Sequence, residues 1–356
     1  MEPDTSLKSW DVIVIGGGII GLGTAWALAR SGVRVALFEK GQVGAEQSSR
    51  NWGWVRTLDR DVAELPLALR ANQIWQQLQA RVDVGYRRTG LAYLAVSDND
   101  MAHHARWLEA ARQVGVDARL IGRGQLGSII PASGTAWAGA LYSPTDGVAE
   151  PTIVPGAVAR LAAADGVEIF EQCAVRGLDM EGGKVAGIVT EKGRMRAQAV
   201  VCAGGAWSRL FFGNLGLNLP QLKVHATAFQ TTPLAHGPGP TPALNGVDFT
   251  CRPHRDGGYI VSQLGASVVD IVPDSFKLFM RFLPAWRAEH KLLKIRFGRR
   301  FFEELRVPTR FALDAATPFE AMRVYDHAPT ASTVTNALRS LKQAFPQFEG
   351  VGVTRQ

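Results

Sequence analysis

Gly16, Gly18 and Gly21 lie close together, and the carboxylate of Glu39 follows 18 residues after the last of them. This G-x-G-x-x-G spacing with a downstream acid suits a dinucleotide cradle. Gly16 permits a tight turn. Gly18 removes a Cβ where a pyrophosphate must approach the backbone, and Gly21 lets a helix pack close to a strand. A helix opening at this point offers free N–H groups and a partial positive charge to phosphates. Glu39 can accept hydrogen bonds from ribose hydroxyls. The spacing does not separate NAD from FAD. Lys40 beside an acidic Glu39 disfavours NADP, whose extra phosphate wants an arginine.

These residues need a βαβ unit to position them. Val12–Ile15 is a continuous β-branched run, as in a strand buried on both faces. Ile19–Arg30 reads as a helix that Gly32 can end, and Arg34–Phe38 as a second strand with Glu39 at its end. Further along, Asp61–Arg81, Met101–Val114 and Pro151–Ala164 read as helices. Gly90–Val96, Glu168–Phe170, Val175–Met180, Val185–Thr190 and Ala199–Cys202 read as strands. EGGK at Glu181–Lys184 is a hairpin signal and implies antiparallel pairing. Leu222–Thr232 and Tyr259–Leu264 read as strands of a second sheet, with the loop HGPGPTP (His236–Pro242) between them.

Two more stretches carry candidate chemistry. Val43–Arg56 is rich in small and hydroxyl residues and then carries Arg50, Trp52 and Trp54. It reads either as a polar loop returning to the cofactor or as an exposed loop with two core tryptophans. VVCAGGAWS (Val200–Ser208) is a strand that ends in glycines and opens a helix at Ala206, another place for close backbone approach.

Composition bounds the rest. The chain has 356 residues, 46% of them apolar and 20% charged, enough for two domains and unlike a disordered chain. Cys173, Cys202 and Cys251 are sparse and unpaired in spacing, which fits a reduced, cytoplasmic setting. The seven histidines show no ligand spacing, so no metal site is expected. The opening residues carry no apolar signal segment, and no run approaches the ~18 apolar residues of a membrane span. The net charge is +7, and Asp274–Arg306 holds nine Lys/Arg against four Asp/Glu. That segment interleaves charges with aromatics and aliphatics. It reads as a solvated helical subdomain whose aromatics pack on the sheet, as a basic element resting on anionic lipid, or as a protein-binding face. No motif supports nucleic-acid binding.

The motifs AEQSSR (Ala45–Arg50), EKG (Glu39–Gly41) and SLKQAFPQF (Ser340–Phe348) resemble the flavin-dependent amino-acid oxidase and dehydrogenase family, the group of D-amino-acid oxidase and glycine oxidase. Within it they look most like bacterial L-amino-acid deaminases. The resemblance implies FAD as cofactor. It places Gly16, Gly18, Gly21, Glu39, Lys40, Gln47, Ser48, Ser49, Arg50, Val175, Ala203 and Gly204 at the cofactor. It implies an α/β fold with a Rossmann-like, parallel-sheet FAD domain (residues 1–60 and 150–215). A mostly antiparallel substrate domain follows (residues 61–149 and 216–345), carrying the basic segment 274–306 as an insertion.

The implied reaction is oxidative deamination of an amino acid or related amine. Hydride passes from Cα to flavin N5, and the imine hydrolyses to a 2-oxo acid and ammonia. Oxygen or a respiratory quinone is the acceptor. No acid–base residue is required, and none is named. A cation for the substrate carboxylate is required, and the resemblance assigns Arg252, with Arg255 as competitor. Trp54 falls where the deaminases carry a polar residue near substrate, and it reads as an aromatic wall or as core. The deaminases also contact the membrane. The family continues past a tail like FPQFEGVGVTRQ, so a partial or truncated chain is expected. An inactive fragment and a nicotinamide-dependent dehydrogenase stand as alternatives.

Overall fold

The computed structural model describes residues 8–235, 239–326 and 328–355, with the start of the loop expected at His236–Pro242 lying outside the described residues. Strand Ser9–Ile15 lies between Val35–Phe38 and Gly193–Cys202, parallel to both. Ile13 and Val14 are fully buried there, as the β-branched run requires. Glu168–Phe170 extends the sheet in parallel on one side. On the other side Lys184–Thr190 and Val175–Glu181 add an antiparallel meander. Their hairpin turns on Gly182 and Gly183, both at positive φ (56° and 78°), the conformation that a two-residue primed turn demands. Helices Ile19–Arg30 and Val154–Ala164 pack together on this sheet over Val14, Leu22, Leu37, Ala157 and Val158.

A second sheet has eight strands in the order Val353–Arg355, Ala228–Thr231, Tyr259–Gln263, Phe249–Pro253, Ala243–Asn245, Leu91–Ala95, Gly139–Ser143, Arg119–Gly122. Every junction is antiparallel except the one between Ala243–Asn245 and Leu91–Ala95. Helix Ala331–Ala344 lies across it and buries Val334, Ala337 and Leu341 with Phe229, Phe249, Phe345 and Phe348. The α/β fold with one mainly parallel and one mainly antiparallel sheet is the expected one.

Local departures have physical causes. The helix expected over Asp61–Arg81 begins at Leu65 after a 3₁₀ turn at Val62–Glu64, because Asp61 accepts the Ala63 N–H and Pro66 occupies the first turn. The helix expected over Met101–Val114 spans Asp98–Arg112, opened by a Ser97–Asp100 capping box. Of the strand expected over Leu222–Thr232, only Ala228–Thr231 forms. The basic segment contains helices Pro273–Lys277, Phe279–Glu289 and Arg299–Arg306, and strand Leu293–Arg296 pairs in parallel with Ser267–Asp270. Leu278 is buried, but Phe276, Phe279, Met280, Trp286, Phe297 and Phe302 are all exposed rather than packed on the sheet. Among the described residues no helix is long and apolar enough to cross a membrane.

Candidate active site

The glycine turn sits at the carboxyl end of the central strand. Gly16 has φ +107°, and an added Cβ would lie 2.5 Å from the Ala203 carbonyl oxygen. A Cβ on Gly21 would lie 1.9 Å from the Gly16 carbonyl oxygen, so helix and strand meet there backbone to backbone. For a Cβ added at Gly18, the only non-neighbouring atom within 4 Å among the described residues is Ser48 Oγ, at 3.2 Å. That position is therefore a cradle facing open space rather than a packing contact. The Ser48 hydroxyl accepts the Ile19 N–H at 2.9 Å, capping the helix across 29 residues where Gly18 has no side chain to do so.

Glu39 ends the second strand facing the same turn. Its carboxylate accepts the N–H groups of Gly17 and Gly41, each at 2.7 Å. Burial pushes this carboxyl above its ordinary range, and the two backbone bonds oppose that shift. Each oxygen keeps a lone pair for a ribose hydroxyl.

Gly16, Gly18, Glu39, Lys40, Gln47, Ser48, Val175, Ala203 and Gly204 all line one pocket. Gly21 lies beneath it, and Ser49 and Arg50 line the adjoining cavity instead. Lys40 and Arg50 do not offer free cations. Lys40 Nζ donates to Glu46 and to the carbonyls of Met322 and Arg323, and it lies 4.4 Å from the Trp207 ring. Arg50 donates to Asp326 and to the carbonyls of Tyr325 and Ala45. Both side chains bind the returning segment 318–326 over the pocket, and Phe319 of that segment lines it.

Glu46 and Gln47 border both this pocket and a cavity of about 990 Å³. Trp52, Trp54, Arg56, Glu150, Phe229, Gln230, Arg252, His254, Ile260 and Tyr325 are among its lining residues. Trp54 packs edge-on against Trp52 and Tyr93, with one face on the core and one on the cavity. Trp54 thus lines the cavity and also packs against the core.

Arg252 reaches the cavity wall, but its fork is occupied from within the protein. It donates to Glu150 at 3.0 and 3.1 Å, to the Pro253 carbonyl at 3.2 Å and, through Nε, to the Trp52 carbonyl. Gly53, at φ +72°, leaves room for this guanidinium: a Cβ there would stand 2.9 Å from Arg252 Nη2. Arg255, the competitor, pairs with Asp83 at the surface.

Sequence reasoning missed Glu150. It accepts from Arg252 and Arg87 and stands 3.2 Å from His254 Nε2. Burial works to raise this carboxyl, but Arg252, His254 and Arg87 outweigh it and hold it below the ordinary carboxylate range. The available signal was one acid inside the apolar run Gly147–Pro155, which needs a cationic partner once buried. Arg56, Glu46 and His254 were missed as well. Among the described residues no His/Cys/Asp/Glu cluster could hold a metal ion.

Residues 11–356 match a family described as FAD dependent oxidoreductase. In structure the chain is similar to an L-amino acid deaminase from Proteus myxofaciens in complex with anthranilate. The TM-score is 0.92 at 30% identity, covering 97% of this chain and 78% of that one. In sequence it is similar to a sarcosine oxidase subunit beta from an Arthrobacter species, 31% identical over 60% of this chain and 55% of that protein. A glycine oxidase from Geobacillus kaustophilus is 28% identical over 72% of this chain and 68% of that protein. The matched stretch thus spans little more than half to two thirds of these two relatives. The glycine cradle open at Gly18, the capped helix start and the half-buried Glu39 fit the adenosine diphosphate half of FAD. The chain belongs to the FAD dependent oxidoreductase family, alongside its amino-acid oxidases and deaminases, and its cofactor is FAD.

Proposed function

We propose that this protein catalyses oxidative deamination of an amino acid or a closely related amine. The observation that carries the reading is the shared border at Glu46 and Gln47, which sets the dinucleotide pocket beside a large, partly aromatic cavity. When bound, FAD supplies a two-electron acceptor for the substrate carbon. The chain's own residues bind and orient. Gly18 and the helix start at Ile19 would face the pyrophosphate, and Glu39 the ribose. Trp52, Trp54 and Phe229 would form an apolar wall for a substrate side chain. One arginine of the cavity would give a substrate carboxylate its counter-charge.

We assign cofactor binding to residues 1–60 and 150–215 and substrate binding to residues 61–149 and 216–345. All strands of the first sheet fall within residues 8–60 and 150–215. All strands of the second fall within 61–149 and 216–345, except Val353–Arg355.

The test is anaerobic. Protein supplied with FAD is mixed with a panel of L- and D-amino acids and simple amines, and the flavin absorbance is followed. Bleaching by one class with release of the 2-oxo acid and ammonia is expected. A chain that takes up FAD yet is bleached by no member of the panel overturns the reading. Oxygen uptake against quinone reduction then identifies the acceptor.

Segment 274–306 supports a second component, a peripheral membrane contact. Its exposed aromatics stand beside Arg281, Arg287, Lys294 and Arg299, the composition of a surface resting on anionic lipid.

A further inference from the structure

We propose that Arg56 receives the substrate carboxylate, while Arg252 is a positioning residue that fixes Glu150 and the Trp52 carbonyl. This rests on the amino-acid reading above and names the recognition residue within it.

The cationic side chains of the cavity are not equivalent. Arg50 pairs with Asp326, Lys223 with Glu304, and Arg252 with Glu150. A carboxylate approaching Arg252 meets a guanidinium already neutralised and engaged in bidentate fashion. Binding there would require breaking a buried ion pair. Arg56 is different. Its bonds, to the Leu58 carbonyl and the Tyr93 hydroxyl (3.0 Å), are to neutral oxygens and both use Nη1. No carboxylate among the described residues lies within 4 Å of it. Nε and Nη2 have no partner among the described residues, and neither is sealed from solvent. These two nitrogens form the side of the guanidinium that pairs with a carboxylate through two parallel bonds.

The side chain is also held in place. Strand Trp54–Val55 pairs with Gly147–Val148 directly before it. Directly after it, buried Asp146 accepts the Thr57 N–H at 2.8 Å, the Thr57 hydroxyl at 2.9 Å and the Leu58 N–H at 3.1 Å. Tyr93, itself in the core, fixes the guanidinium. A donor pair held on both flanks loses little freedom on binding. Arg355 also lines the cavity with no ion pair among the described residues, but it stands exposed on an edge strand and lacks such support.

The test measures binding, not turnover. Anthranilate is titrated calorimetrically into the FAD-supplied protein. Anthranilamide, which keeps the ring and amine but carries no negative charge, is titrated in parallel. Arg56→Met should weaken anthranilate by about 10- to 100-fold, the usual effect of losing a charged bidentate bond. It should leave anthranilamide within about 2-fold, since no charge pair is lost there. Arg56→Lys should recover part of the loss, and Arg355→Met should change neither ligand. If Arg56→Met lowers the melting temperature, Arg56→Gln, which keeps a donor for Tyr93, serves as the neutral variant with the same expectation. Anthranilate binding unchanged in the neutral variant, or an equal loss for both ligands, overturns the assignment of Arg56 alone. Failure of the unaltered chain to bind anthranilate, phenylalanine or any other amino acid overturns both this assignment and the reading beneath it.

Discussion

Glu150 and Arg252 form a bidentate ion pair at 3.0 and 3.1 Å with both side chains 1% exposed. Arg87 and His254 gather on the same carboxylate. Glu150, Arg252 and His254 thus form one buried hydrogen-bonded group at the wall of the large cavity, with Arg87 behind it. Glu150→Gln would leave Arg252 buried without its counter-charge. The expected cost is about 3–5 kcal/mol of unfolding free energy, measured by urea denaturation. An unchanged midpoint would show that the pair contributes nothing to stability.

The glycines of the cofactor turn should separate into two classes. Gly21→Ala forces a Cβ to 1.9 Å from the Gly16 carbonyl oxygen, and backbone cannot swing away as a side chain can. It should destabilise the fold and abolish flavin retention together. Gly18→Ala meets only Ser48 Oγ at 3.2 Å, so the fold should persist with a melting temperature close to the parent's. Its methyl would intrude where the pyrophosphate is expected, so FAD affinity should fall by at least about tenfold. Flavin content and melting temperature, measured on both variants, decide the point. Full FAD occupancy in Gly18→Ala would place the pyrophosphate elsewhere.

The N-terminal βαβ unit was legible because its rules are local. A β-branched run, three glycines and an acid at fixed spacing specify strand, turn and helix without help from the rest of the chain. The hairpin at Gly182 and Gly183 was legible for the same reason. Leu222–Ala226 was not: these residues line the cavity, and their only ladder contact among the described residues is the bridge from His225 to Val268. Strands as short as Gly147–Val148 and Ala243–Asn245 carry no readable period. The engagement of Arg252 depends on a carboxylate 102 residues away, and that of Lys40 on carbonyls 282 and 283 residues away. Spacing rules do not reach that far. Residue type points to candidate cations, and only the fold reveals which of them is already paired.

The segment over the dinucleotide pocket should loosen in acid. Arg323 donates to both oxygens of Glu191 and also to the Lys40 carbonyl. The Arg323 guanidinium holds the Glu191 carboxyl down to about 2, from an ordinary value of 4.5. A carboxyl depressed in the folded state stabilises fully above its ordinary value and loses that contribution as pH falls toward the folded one. Stability should therefore decline between about pH 5 and 2, in part through this pair. Glu191→Gln should flatten that part of the profile while lowering stability at pH 7. A parallel acid profile in the variant would assign the decline to other carboxylates.

The exposed face of the basic segment gives the last prediction. Phe279 and Trp286 lie on one helix with Arg281 and Arg287, and Phe297 and Phe302 flank Arg299. On lipid, each cation near an anionic surface contributes about 1 kcal/mol, and the aromatics add burial at the headgroup boundary. Flotation should therefore recover the protein with vesicles containing phosphatidylserine or cardiolipin, less with neutral phosphatidylcholine, and less again as salt rises. Replacing Phe279, Met280 and Trp286 by serine should reduce recovery without changing flavin content, because these side chains are exposed and outside both pockets. Arg281→Glu with Arg287→Glu should remove the preference for anionic lipid while leaving some apolar binding. Undiminished, salt-independent flotation of both variants would exclude this face as the contact.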